Sequence, residues 1–125
     1  MTIQFGLALT QSTGIRAVPG GLTFSMSDAN AERMLGILGL EARVQDSAFL
    51  PHQRMPDLLT RISSEIERRQ GRYDDTRVRY ELPRLEHLQV LFGMANKRGL
   101  GVVVTRLPGV ESWPSLAHAR ARVSQ

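Results

Sequence analysis

The chain of 125 residues has no cysteine, so a disulfide framework and a thiolate metal site are both excluded, and stability must come from packing. A reducing, cytoplasmic location is the natural expectation. Lysine is almost missing: of 16 basic residues, only Lys97 is not arginine. Such usage often follows a GC-rich genome, so it says more about codons than about phosphate binding and suits a bacterial, phage or mobile-element origin. No apolar run approaches the roughly 20 residues that span a bilayer, so no membrane partner is expected. Residues 1–10 lack the basic n-region of an export signal, and their apolar residues alternate as in a strand.

Catalytic signatures are missing as well. The sequence holds no phosphate-binding GxxxxGK[ST] loop, no GxGxxG after a strand, no HExxH and no GxSxG elbow. His52, His87 and His118 fall in a loop, a helix and the C-terminal segment, without the spacing zinc needs when cysteine is missing. Glu86 and His87 are adjacent, but neighbours on a helix point about 100° apart and cannot form a relay. Asp74-Asp75 has too few companion oxygen ligands for a calcium loop and reads as a turn pair bonding its own backbone. No catalytic residue, metal site or cofactor is assigned.

What is present describes one globular core. Hydrophobic residues make up 42% and charged residues 22%, far from the disordered regime, and the length suits a single domain. The net charge of +4 is unevenly placed. Residues 1–96 are neutral, with as many arginines as acids, whereas Lys97, Arg98, Arg106, Arg120 and Arg122 face only Glu111. The basic character therefore belongs to the C-terminal segment.

Ile3, Phe5, Leu7 and Leu9 alternate in a half-buried strand, and Leu22, Phe24 and Met26 form a second beyond Pro19-Gly20-Gly21. The short Ile15–Val18 stretch extends or thickens this hairpin. Ser27 or Asp28 caps a helix over 28–38 with a stripe of Ala31, Met34, Leu35 and Leu38, ended by Gly39. Residues 40–55 read as a long surface loop pinned by Phe49 and Leu50, and loops of such length are often functional. Pro56 opens a second helix lined by Leu58, Leu59, Ile62 and Ile66. Val78, Tyr80 and Leu82 alternate with Arg77, Arg79 and Glu81, predicting a third strand. Pro83 then opens a third helix carrying Leu85, Leu88, Leu91, Phe92 and Ala95, capped by Gly99. The apolar run 100–107, rich in valine, predicts a central strand covered on both faces. The expected fold class is α+β: a mixed sheet of about four strands with about three helices, in the order β-β-α-α-β-α-β. Residues 1–109 form the domain, and 110–125 form a weakly helical or flexible tail. The last helix and strand are expected to make a parallel right-handed unit.

The leading functional expectation is a non-enzymatic protein-binding accessory module, such as an inhibitor, adaptor or immunity-like factor. Its contact residues would be Phe49, Leu50 and His52 in the loop, with Trp113 and Leu116 in the tail. Trp is enriched at interface hot spots, although Trp113 would also serve by folding back on the sheet. The partner would be another protein or a second copy in a homodimer. The alternative is a nucleic-acid-binding protein using Lys97, Arg98, Arg106, Arg120 and Arg122. A small enzyme ranks third and would need His87, Tyr80 and Glu81 to converge in a deep pocket. Between 61 and 84 seven arginines stand among five acids, so i,i+4 pairing should neutralise much of any positive ridge.

Overall fold

A computed structural model describes residues 2–11, 14–40 and 47–107. Alternation decides the first strand: Ile3, Phe5 and Leu7 point to one face of β1 (Thr2–Gln11) and are almost fully buried. The chain returns antiparallel along β1 as two pieces, β2 (Gly14–Ala17) and β3 (Thr23–Ser27). Ala17 pairs with Ala8 and Thr23 with Gly6, so six steps on the returning chain match two on β1 and four residues loop out. Pro19-Gly20-Gly21 supplies that loop, closed by Gly21 N–H donating to Val18 O at 3.0 Å.

Ser27 Oγ then accepts from Asn30 N at 3.4 Å and starts α1 (Asp28–Ile37). Next come β4 (Ser47–Leu50), a single 3-10 turn over His52–Arg54 and α2 (Met55–Arg69). Helix α3 (Thr76–Arg98) leads through Gly99, whose positive φ of 68° lets the chain reverse, into β5 (Gly101–Leu107). β5 lies between β1 and β4 and pairs antiparallel with both, completing a five-stranded sheet in which β3 continues the β2 edge. The three helices cover the face carrying Phe5, Leu7, Val102 and Val104 in one continuous core. The opposite face holds a smaller cluster of Ala8, Ile15 and Val103, with Phe49 packed against it.

The fold is thus the expected small α+β type, and β5 is buried along nearly its whole length. Its element order differs from the expectation in three ways. Residues 78–82 are helix, not strand, because Val78, Leu82, Leu85, Leu88, Phe92 and Ala95 continue one stripe at spacings of three and four, all of them buried. Tyr80, which a strand would turn inward with Val78 and Leu82, is 43% exposed. Pro83 therefore lies inside α3, and the helix starts seven residues earlier at Thr76, capped by Asp75, which accepts from Arg77 N at 2.9 Å. Second, the 40–55 region contains β4, whose four residues are too few to show a period. Third, with no strand between α2 and α3 the expected parallel unit is not formed, and every pairing among the described residues is antiparallel.

Candidate functional site

The first turns of α3 lie between α1 and α2, and Glu81 is where the three helices meet. Arg33 of α1 donates to Glu81 Oε2 at 3.2 Å, and Arg69 of α2 donates through Nε to Oε1 at 3.0 Å. Glu65, one turn before Arg69, accepts from Arg69 at 2.7 Å and from Arg68 at 3.0 Å, with Arg61 at 3.5 Å. Both carboxylates are buried although they sit on helix surfaces. Burial alone would raise the Glu65 pKa, but the hydrogen bonds from Arg69 and Arg68 outweigh it and hold the group below its ordinary value. Burial alone would lower the Arg69 pKa, but its bonds to Glu65 and Glu81 outweigh that cost and hold the guanidinium above its ordinary value.

This network satisfies two glutamates and leaves other cations uncommitted. Arg72 and Arg77 have no carboxylate partner among the described residues. They border a cleft of about 140 Å³ between α2 and α3, together with Arg68, Arg69, Asp75 and Glu81. Four arginines line it against Asp75 and Glu81, and even with Glu65 paired to Arg68 and Arg69 the cleft keeps a net positive charge. Arg77 also borders a second cleft, about 320 Å³ between α1 and α3, whose walls include Asn30, Arg33 and Tyr80. Tyr80 Oη donates to Asn30 Oδ1 across this cleft, and the Arg84 guanidinium lies over the tyrosine ring 4.1 Å from its centre. Tyr73, 56% exposed, stands in the turn beside Arg72. The arrangement can attract and orient anions, with aromatic surface at hand.

The residues singled out from sequence fall elsewhere. Leu50 belongs to the main core, and Phe49 packs half-buried over Gly101, where an added Cβ would lie 2.6 Å from its ring. His52 Nδ1 is 3.3 Å from Leu100 O, and because a carbonyl only accepts, the ring nitrogen donates. The three are near in sequence but not brought to one surface, since Leu50 and Phe49 take opposite faces of the sheet, and their visible work is to fasten β4 to β5 and the start of α2. Trp113, Leu116, Arg120 and Arg122 lie outside the described residues. Lys97 and Arg98 are exposed at the end of α3, whereas Arg106 is half-buried and 3.6 Å from Asp28 Oδ1 at the start of α1. Gly101 and Arg106 are five strand residues apart, about 17 Å, so among the described residues Lys97 and Arg98 stand at the other end of β5 from Arg106.

Tyr80 and Glu81 border the clefts, but His87 is seven residues beyond Tyr80, about 10.5 Å up the helix. It stacks on Phe24, ring centres 4.8 Å apart and nearly parallel, so the three do not converge. Among the described residues no group of histidines and acids could hold a metal ion, and no helix is long and apolar enough to cross a membrane. Pairing of the 61–69 ridge is as its spacing implies. Sequence reasoning missed Arg33, which reaches Glu81 across 48 positions, and it did not join Arg72, Arg77 and Tyr80 into a site. Reading 76–98 as one amphipathic helix would have brought Arg77 and Tyr80 to neighbouring turns of a single face. Comparison with protein-family profiles, curated proteins and solved structures returns no match.

Proposed function

We propose that the protein is a non-enzymatic binding module of a bacterial or mobile-element genome, and that it captures another protein through the face where α1, α2 and α3 meet. The observation that carries this reading is the pair of uncommitted guanidinium groups, Arg72 and Arg77, beside exposed Tyr73 and Tyr80. Arg and Tyr are among the residues that dominate protein interfaces. Complementary charge steers an acidic partner and selects against basic ones. The Glu65 and Glu81 bonds fix the surrounding helices in advance, so less ordering remains to be done on binding.

Elsewhere the described surface offers less. Its exposed large apolar residues are Tyr73, Tyr80 and Val90, and they make no apolar patch of the size that marks an interface by itself. The test is capture from host lysate with tagged full-length protein, followed by size-exclusion chromatography with light scattering. A stoichiometric protein retained by wild type and lost by an Arg72→Glu/Arg77→Glu variant supports the proposal. A nuclease-sensitive mass excess would replace it with the nucleic-acid reading, which exposed tyrosines beside free arginines also favour.

A further inference from the structure

We propose that the two clefts flanking α3 form one bipartite pocket for a phosphorylated aromatic side chain presented by the partner, which rests on the protein-binding reading above. The α2–α3 cleft is the phosphoryl half. Glu81 is occupied by Arg33 and Arg69, and Asp75 by the Arg77 backbone. The guanidinium groups of Arg72 and Arg77 keep their donors free, and a planar fork of N–H groups matches phosphoryl oxygens bidentately. A volume of about 140 Å³ holds a few waters at about 30 Å³ each, which is room for one phosphoryl group.

The α1–α3 cleft is the aromatic half. It is more than twice as large, its walls are mainly Ala29, Thr76 and the faces of Tyr80 and two arginines, and it contains no carboxylate. Arg77 lines both halves, so one ligand can rest its ring against Tyr80 and its phosphoryl group on Arg77 and Arg72. Aromatic stacking and a dianion on paired arginines give the pocket a reason to prefer a phosphorylated ring over either part alone.

The experiment is calorimetric titration of the full chain with phenyl phosphate, inorganic phosphate, a short phosphotyrosyl peptide, its phosphoseryl counterpart and thymidine monophosphate. The expected result is phenyl phosphate binding at least about tenfold tighter than inorganic phosphate, and the phosphotyrosyl peptide tighter than the phosphoseryl one by a similar factor. Arg77→Gln and Arg72→Gln should each weaken the phosphotyrosyl peptide about tenfold, while Arg98→Gln, at the far end of α3, should not. Circular dichroism of each variant separates lost binding from lost fold. Equal affinity for phenyl and inorganic phosphate, or tight thymidine monophosphate with no peptide binding, overturns the proposal. Absence of all binding while the lysate partner is still retained through Arg72 and Arg77 also overturns it, without touching the protein-binding reading.

Discussion

Replacing Glu81 by alanine removes a side chain that α1 and α2 both grasp. Its carboxylate accepts one charge-assisted bond from Arg69 and one from Arg33, each of a kind worth about 1.5–3 kcal/mol. The Arg33 share must be discounted, because that side chain is 49% exposed and rehydrates when released. Arg69 is only 15% exposed but keeps its bonds to Glu65, so its charge is not stranded. The net destabilisation is therefore about 2 kcal/mol, below the 3–5 kcal/mol of breaking a fully buried pair. In a domain of this size that lowers Tm by about 8 °C. Urea unfolding followed by circular dichroism should show the midpoint falling at unchanged slope. In a double-mutant cycle with Arg69→Ala, coupling should exceed about 0.5 kcal/mol. A loss under about 0.5 kcal/mol with no coupling would make the bridge an ordinary surface pair and refute the clamp.

Three further outcomes follow from the same geometry. Because the Glu65 pKa is lowered on folding, its contribution is present above the ordinary value of 4.5 and is lost as pH falls through the folded value below it; thermal scans between neutral and acid pH should show this loss, reduced in Glu65→Gln. Gly101→Ala would place a methyl 2.6 Å from Leu50 O and from the Phe49 ring, so β4 must move, and a loss of about 1–3 kcal/mol is expected from chemical denaturation. Pro83 is exposed within α3 and cannot donate to the Arg79 carbonyl; Pro83→Ala should stabilise by about 1–3 kcal/mol, whereas a strand ending at Pro83 would gain nothing.

The sequence was most legible where one period excluded the other. β1, α1 and β5 lie within a residue or two of their expected limits because strict alternation, a capped stripe and a β-branched run have few alternative readings. Residues 78–82 were ambiguous because Val78 and Leu82, four apart, satisfy alternation and helical spacing alike; only extension to Leu85 and Leu88 separates them. Asp75 was read as a turn former, since the same side-chain bond that makes an Asx turn also caps a helix. The candidate site was less legible still. Its i,i+4 half, Glu65 with Arg61 and Arg69, follows from spacing, whereas the reach of Arg33 to Glu81 and the meeting of two clefts at Arg77 depend on how three helices pack, which no local pattern encodes.

The measurement closest to the central claim is a hydrogen–deuterium exchange footprint of the full chain with and without its captured partner. Slowed exchange over residues 68–80, with added protection near Asn30 and Arg33, is the expected result. Protection confined to Phe49–Arg54 or to residues 108–125, with 68–80 unchanged, would contradict it.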